Sequence, residues 1–175
     1  PIGVPIKYCL NSTGNDKQGS AAIVILNKSI HALIINQLSY AYTAVVEIRR
    51  GALNLIVTSM YFDIRKNIED DVLKLKNILD FATGRGVIAA IDSNCRSKLW
   101  HDIQSNNRGK VLEEFMISND LYLVNNDNGQ PTFQTRSGSS RVDLTQCNRQ
   151  VIKKINNWDS AHEEVVWITA SSLLQ

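Results

Sequence analysis

The chain is 175 residues long, and its 19 Lys and Arg residues against 17 Asp and Glu residues give a formal charge of +2. A domain of this length buries about 70% of its unfolded surface and needs no disulfide or metal to fold. With 43% hydrophobic and 21% charged residues and no apolar run long enough to cross a membrane, the composition excludes wholesale disorder and a transmembrane helix. The near-neutral charge means that nucleic-acid binding would require basic residues clustered on one face.

The start of the chain and its cysteines restrict the class further. The sequence begins Pro-Ile-Gly-Val-Pro, without an initiator Met and without the basic and apolar stretches of a signal peptide, so we expect a fragment. The three cysteines, Cys9, Cys95 and Cys147, form no C-x-x-C motif. We therefore expect reduced intracellular thiols rather than a zinc site or a disulfide scaffold.

The first third of the chain is predicted to be rich in strands. A polar, loop-like stretch covers residues 11–19. Short apolar runs with many β-branched residues follow it, and this pattern predicts strands. The runs are residues 21–26, 31–35, 43–48 and 53–59. Their close spacing favours antiparallel neighbours joined by short turns.

A helical period follows these strands. Apolar residues recur at helical spacing over residues 72–82, with Asn67 as a candidate N-cap and acidic residues at 69–71 to suit the positive end of the helix dipole. Gly84 and Gly86 end this helix. The apolar run that comes next, residues 87–91, does not alternate, which is typical of a strand buried on both faces.

The second half mixes both element types. A helix is predicted over residues 108–119, and strands over 121–124, 132–133 and 142–145. Residues 125–130 and 136–140 are predicted to be polar loops. The alternation favours a layered α/β domain with a strand-rich first part.

Polar side chains at the ends of the predicted strands are the candidates for chemistry. Asp92-Ser93-Asn94 follows the buried strand, where a carboxylate is costly unless it is paired or bound to a cation. Taken alone, the triplet is more typical of a turn than of an active site. Tyr61 alone is more typical of a tyrosine in the hydrophobic core than of a catalytic residue. Thr132 and Asp143 also lie near strand ends, and Asp143, between Val142 and Leu144, is predicted inside a strand with a specific hydrogen-bond partner. Asp63 is expected to be solvated.

In combination and order, these segments resemble the endonuclease domain of non-LTR (LINE-type) retrotransposons. That domain belongs to the exonuclease/endonuclease/phosphatase superfamily, with apurinic endonucleases and DNase I. The similarity runs from about Pro1 to Trp158, and it is closest to arthropod elements whose endonuclease precedes a reverse transcriptase. The segments that carry it are Ser59-Met60-Tyr61, Ile91-Asp92-Ser93-Asn94 with Trp100-His101-Asp102, residues 107–115 (Asn-Arg-Gly-Lys-Val-Leu-Glu-Glu-Phe), Pro131-Thr132-Phe133 and residues 136–145 (Arg-Ser-Gly-Ser-Ser-Arg-Val-Asp-Leu-Thr).

The resemblance implies a four-layer α/β/β/α sandwich, DNase I-like, with two mixed sheets face to face and truncated at both ends. It assigns residues 1–160 to this domain and residues 161–175 to a tail. By matched position, Asp92 resembles the acid/base carboxylate and Asn94 the amide that orients phosphate and water. Tyr61 resembles the tyrosine that contacts the phosphate, Thr132 the threonine beside a substrate-probing hairpin, and Asp143 the carboxylate that orients a catalytic histidine.

The same resemblance implies Mg²⁺ as cofactor, DNA as substrate and a reverse transcriptase domain on the full-length polypeptide. It implies an intracellular protein, nuclear in the full-length element, with no membrane partner. The metal ligands in this chain stay unassigned. Basic residues in the motif-bearing loops and the adjoining helix start are predicted to form a rim that contacts DNA, with a scatter of solvated surface charge as the alternative. These are Arg96, Lys98, Arg108, Lys110, Arg136 and Arg141.

Two family features are absent from the printed sequence. The family begins with an Asn strand and a strand that ends in the metal-binding Glu, and this chain starts after them. The family also closes with Ser-Asp-His, whereas no Asp-His dipeptide occurs here. His31 and His101 are predicted to be structural, and His162, near the expected position, follows Ala161. We therefore expect the fragment to be inactive.

The genetic code suggests a frameshift in the tail, residues 165–175, although an ordinary apolar strand would also explain it. Trp167 has the single codon TGG and Ile168 begins with AT, so skipping two bases gives GAT, which encodes Asp. The next triplet is CAC, His, if Ile168 uses ATC, and two hydrophobic residues follow after one variable residue if Ser171 and Ser172 use TCN codons. The residue before this Asp would be Leu, Met or Val rather than the family's Ser.

Three functional hypotheses follow. The first is a Mg²⁺-dependent endonuclease domain that nicks DNA to prime reverse transcription. The alternative is a non-enzymatic remnant that at most binds nucleic acid. The third keeps the superfamily but takes inositol phosphates or sphingomyelin as substrate, and it ranks last because the helix entry at Asn107 and the Ser/Gly-rich loop resemble the retrotransposon branch.

Overall fold

The computed structural model describes residues 7–10, 21–25, 30–51, 53–125, 131–135 and 138–153. The strands are β1 Lys7–Leu10, β2 Ala22–Ile25, β3 His31–Ile34, β4 Thr43–Arg50, β5 Leu53–Tyr61, β6 Gly86–Asp92, β7 Leu121–Leu123, β8 Phe133–Thr135, β9 Gly138–Ser140 and β10 Asp143–Asn148. The helices are α1 Ile68–Phe81, α2 Asn107–Ser118 and the single turn α3 Arg149–Ile152, with 3₁₀ turns at Asn36–Leu38 and Lys98–Trp100. Among these helices, none has the length and apolar character needed to cross a bilayer.

Six strands form one mixed sheet, in the order β3-β4-β5-β6-β10-β7. β3, β4 and β5 are antiparallel neighbours, as the sequence predicted, whereas β5 and β6 run parallel. A parallel pair requires a crossover connection, which α1 provides. β10 then runs antiparallel between β6 and β7. This order places the end of β5, the end of β6 and the start of β10 side by side at one edge of the sheet.

α1 and α2 pack on one face of the sheet, where the main core lies. Leu75 and Ile78 of α1 and Leu112 of α2 are buried there against alternate residues of the strands, such as Ile56 and Val87. The intervening residues, Leu55 and Ile88, belong to a second buried cluster with Cys147 and Val151. Because successive side chains of a strand point to opposite faces, this second cluster lies on the face away from α1 and α2.

Two two-stranded ladders complete the described structure. β1 pairs with β2, and the two strands lie close to β4 and β5. β8 pairs with β9 as a small antiparallel hairpin. The mixed α/β class is therefore confirmed, while the division into four layers with two face-to-face sheets stays a prediction.

The predicted helices agree with the structure more closely than the predicted loops. α1 begins at Ile68, directly after Asn67, so the predicted N-cap position is confirmed, although the Asn67 side chain makes no capping bond. α2 is capped instead by the Asn106 side chain, which accepts from the Gly109 amide at 2.7 Å. The prediction of a loop over 136–140 was wrong in part, because β9 occupies Gly138–Ser140. The predicted loops at 11–19 and 126–130 and the tail lie outside the described residues.

Candidate active site

Three candidate residues lie in one row across the sheet. Tyr61, the last residue of β5, pairs in register with Asp92, the last residue of β6. Asp92 pairs on its other side with Asp143, the first residue of β10. Directly paired residues project from the same face of a sheet, and by strand alternation this is the face away from α1 and α2. The prediction that Asp143 lies in a strand interior was wrong, because β10 begins at that residue.

Burial and a neighbouring carboxylate perturb the protonation of Asp92. Burial raises the pKa of Asp92, and the neighbouring Asp143 raises it further, to about 6, while a hydrogen bond from the Asn94 backbone opposes the change. The Asp92 Oδ1 atom is buried without a hydrogen-bond partner. Burial also raises the pKa of Asp143, against the effect of a hydrogen bond from Thr132. A buried carboxylate oxygen without a donor costs free energy, so the pair favours a proton or a cation between its members.

The loop after Asp92 is fixed by hydrogen bonds to both neighbouring strand ends. The Asp92 carbonyl accepts from the Phe62 amide at 2.9 Å, and the Asn94 side-chain Nδ2 donates to the Phe62 carbonyl at 3.0 Å. Ser93 is fully buried, and its amide and hydroxyl both donate to the Val142 carbonyl, at 2.8 and 2.7 Å. Asn94 adopts a left-handed backbone conformation, φ 48°, which Asn tolerates better than most residues. The prediction of a turn was wrong in part, because Asp92 ends β6 and residues 93–97 form an irregular segment. The triplet presents a carboxylate at the sheet edge.

Thr132 and Asn125 fix the start of β10. The Thr132 hydroxyl oxygen accepts from the backbone amides of Val142 and Asp143 at 3.0 and 3.1 Å. The Asn125 side chain donates to the Asp143 carbonyl at 3.0 Å and accepts from the Thr145 amide at 2.7 Å. Thr132, a sequence candidate, therefore orients Asp143 in this structure. Asn125 was not predicted, because a polar residue at the start of a predicted loop carries no signal of the strand that it contacts.

A buried ion pair connects the loop after β6 to the β8–β9 hairpin. The Arg96 guanidinium donates to Asp102 Oδ1 at 2.8 and 3.0 Å and to the Ser139 carbonyl at 3.2 Å. Asp102 Oδ2 accepts from the Arg141 amide at 2.9 Å. Burial raises the pKa of Asp102, but the bonds from Arg96, Gln104 and Arg141 outweigh burial and lower it. Arg96 therefore stabilises the fold. In the predicted DNA-contacting rim it would use the part of its side chain that remains exposed, 29%.

The other predicted basic contacts differ in exposure. Arg108, at the start of α2, donates from Nη1 to the Lys66 carbonyl at 2.8 Å, while its Nε and Nη2 atoms are buried without hydrogen-bond partners. Lys98 and Lys110 are exposed and Arg141 is half-buried. Arg136 lies outside the described residues.

The expectation that Asp63 is solvated was wrong, because it is 3% exposed and receives three hydrogen bonds from Arg65, whose proximity holds the pKa of that carboxyl well below its usual range.

Comparisons with known proteins agree with this fold. The structure is similar to the solved endonuclease domain of TRAS1, a telomere-specific non-LTR retrotransposon, with a TM-score of 0.80 at 26% identity, covering 87% of this chain and 71% of that one. An endonuclease/exonuclease/phosphatase family protein from Leptotrichia buccalis C-1013-b matches with a TM-score of 0.53 at 14% identity, covering 83% and 60% of the two chains. At that identity the second likeness concerns the fold alone.

Sequence comparison leads to the same class. A family model described as Endonuclease-reverse transcriptase matches residues 55–166. The chain belongs to this family, and its endonuclease is of the kind found in non-LTR retrotransposons. The Retrovirus-related Pol polyprotein from type-1 retrotransposable element R1 of Bradysia coprophila is 26% identical over 142 residues. The match covers 77% of this chain but only 14% of that polyprotein.

Proposed function

We propose that the row formed by Tyr61, Asp92 and Asp143 is a phosphodiester-hydrolysing site that nicks DNA. The observation that carries the proposal is the register itself, which brings two carboxylates and a tyrosine from three separate strands to one sheet edge. Family membership and the likeness to a retrotransposon endonuclease domain support DNA as the substrate. A reverse transcriptase elsewhere on the full-length polypeptide and a nuclear site of action belong to the same proposal.

Each group has a chemical task in such a site. A carboxyl whose pKa is raised to about 6 can both take and return a proton near neutral pH, which suits Asp92 for the attacking water or the leaving oxygen. The Asn94 amide, fixed to the Phe62 carbonyl, and the Tyr61 hydroxyl would position a phosphate. Asp143, whose backbone amide donates to the Thr132 hydroxyl, would hold a neighbouring imidazolium or cation by charge.

The two carboxylates fit Mg²⁺ in their chemistry. Mg²⁺ prefers oxygen ligands, keeps several waters, and is commonly held by one or two carboxylates together with substrate phosphates. Asp92, with its unpartnered Oδ1 atom, and Asp143 would supply these carboxylates. Within the described residues no group of three or more His, Cys, Asp or Glu side chains could hold a metal ion, so water and phosphate would complete the ligand set. When bound, the ion would offset the negative charge that develops on the phosphate.

We propose that the chain as printed has low nicking activity. The alternative is that it is a non-enzymatic remnant that at most binds nucleic acid. No Asp-His dipeptide occurs in its 175 residues, so the histidine that Asp143 would orient is absent from them. General acid–base catalysis contributes about 10²–10⁴-fold to a rate. The double substitution Trp167→Asp/Ile168→His introduces the Asp-His pair of the alternative frame and serves as the repaired background.

The test is nicking of supercoiled plasmid in Mg²⁺ by the repaired protein with and without Asp92→Ala. Loss of the acid/base carboxylate should lower the nicking rate by about 10²-fold or more. The matched control is Asp80→Ala, which removes an exposed carboxylate on α1 that pairs with Lys76 and should leave the rate unchanged. Nicking that persists in the Asp92→Ala protein would refute the assignment of this row as the site.

A further inference from the structure

A second tyrosine and a lysine lie directly beside the candidate site. The rings of Tyr42 and Tyr61 have centroids 5.7 Å apart and are tilted by 52°. The Lys66 Nζ atom lies 4.4 Å from the centroid of the Tyr42 ring. Both tyrosines are partly exposed and Lys66 is exposed. Tyr61 is the register partner of Asp92, so the three side chains form a surface continuous with the Asp92–Asp143 pair.

The backbone of this surface is fixed by hydrogen bonds. The Tyr61 amide donates to the Tyr42 carbonyl at 2.9 Å. The Lys66 amide donates to the Asp63 carbonyl at 2.9 Å, which closes a turn, and the Lys66 carbonyl accepts from Arg108 Nη1 at 2.8 Å. The positions of Tyr42 and Lys66 are thus set by the fold, and binding here would require little reordering of the backbone.

The charge of Lys66 is available to an anion. Its neighbour Arg65 is paired with the buried Asp63 carboxylate at 2.8 Å, so that cation is already compensated. The Lys66 ammonium instead lies on the face of the Tyr42 ring. A cation–π contact at an exposed site contributes only about 0.5–1 kcal/mol, which a phosphate can replace.

We infer that Tyr42 and Lys66 form a nucleotide-binding subsite that holds the DNA strand next to the phosphate at the Tyr61–Asp92–Asp143 row. The Tyr42 ring stacks on a base or sugar of that strand, and Lys66 contacts its backbone phosphate. An aromatic ring with an adjacent cation is the arrangement that recognises nucleic-acid strands without reading their sequence. This inference rests on the proposed function, because it takes DNA as the ligand of the neighbouring row.

The test is fluorescence anisotropy of a labelled DNA duplex with the full chain in EDTA, so that cleavage does not enter the measurement. Tyr42→Ala should weaken binding by about 5- to 150-fold, the range that corresponds to one stacked base, and Tyr42→Trp should bind like the wild type because it keeps an aromatic face. Lys66→Ala should reduce the slope of log affinity against log salt by about 0.9, the change expected for one phosphate contact.

Two matched variants control for non-specific effects. Tyr40→Ala removes a nearby exposed tyrosine whose hydroxyl donates to the Gln37 carbonyl, and Lys76→Ala removes an exposed lysine of α1 that pairs with Asp80. Both should bind like the wild type. If Tyr42→Ala and Lys66→Ala bind like these controls while the wild type binds DNA, the subsite is refuted and the proposed function stands. If the wild type does not bind DNA at low salt, both are refuted.

Discussion

At the scale of single residues, the Asp92 carboxyl makes the stability of the fold depend on pH. Its pKa rises from 3.8 to about 6 on folding, through burial and then through the charge of Asp143. A carboxyl with a raised pKa stabilises the folded state at low pH, and this contribution is lost as the pH rises through the folded-state pKa. The stabilising contribution of protonated Asp92 should therefore be complete below about pH 4. It should be lost above about pH 6, where the carboxyl is charged in the folded state as well.

We expect Asp92→Asn to be more stable than the wild type at pH 7 and equally stable at pH 4. The difference between the two pKa values corresponds to at most ~3 kcal/mol, and since Asp92 is partly exposed, solvent screening should reduce the effect to ~1 kcal/mol. The measurement is the free energy of unfolding in urea at both pH values, with EDTA to exclude divalent cations. Asp80→Asn, which changes an exposed carboxylate, should not gain stability over the wild type at pH 7. If Asp92→Asn exceeds the wild type in free energy of unfolding by the same amount at pH 4 and at pH 7, the prediction is wrong.

At the scale of elements, the β8–β9 hairpin depends on a contact distant in sequence. The Asp102 side chain is fully buried and pairs with Arg96, while both its oxygens also accept backbone amides, from Gln104 and Arg141. Removing one partner of a buried ion pair leaves the other charge uncompensated, which costs about 3–5 kcal/mol. The hairpin should therefore separate from the loop after β6 when Asp102 is lost.

Asp102→Ala should lower the free energy of unfolding by ~3 kcal/mol and speed hydrogen exchange at the Arg141 amide, whose acceptor it removes. The comparison is Asp80→Ala, which breaks an exposed pair with Lys76 and should cost less than ~1 kcal/mol. Equal losses in the two variants would mean that the buried pair does not hold the hairpin.

Most elements could be predicted because their hydrophobic pattern, either a helical period or a continuous apolar run, is strong. The run at residues 87–91 and the helical spacing around Leu75 each match one structure, and β6 and α1 form there. The short elements could not be predicted in this way. β9, with the sequence Gly-Ser-Ser, has no apolar period, and it pairs because β8 lies opposite.

The residues of the candidate site also fall into two groups, those that a local sequence pattern indicates and those that only the fold brings into contact. Asp92 and Asp143 could be singled out because a carboxylate beside an apolar strand is costly to bury, whereas their catalytic roles rest on the family resemblance and stay predictions. Tyr42 and Asn125 could not be identified, because their significance comes from contacts with Tyr61 and with β10 that no local pattern records. Local sequence thus predicts which residues are costly to bury, and only the strand order shows which of them meet.

At the scale of the whole molecule, the near-neutral charge of +2 conceals an uneven use of basic residues. The Arg65 side chain is exposed but, like Arg96, it is paired with a buried carboxylate, and Lys66, Lys98 and Lys110 are exposed as well. A cation that already pairs with a carboxylate of the protein contributes less to the neutralisation of DNA phosphates, and exposed lysines contribute more. DNA binding should accordingly depend on these few lysines and weaken steeply with added salt.

The last prediction concerns activity and the reading frame of the tail. The printed sequence has Trp167-Ile168 where a shift of two bases would give Asp-His, a pair that would supply both a proton-transferring imidazole and a third carboxylate. We expect Trp167→Asp/Ile168→His to nick supercoiled plasmid in Mg²⁺ about 10²–10⁴-fold faster than the printed chain, the usual contribution of a general acid–base. Trp167→Ala/Ile168→Ala separates this gain from simple removal of two apolar side chains, and should stay as slow as the printed chain. Equal nicking by the printed and repaired proteins, abolished in both by Asp92→Ala, would show that the site works without the histidine and that the tail is not a frameshifted copy of the family's last motif.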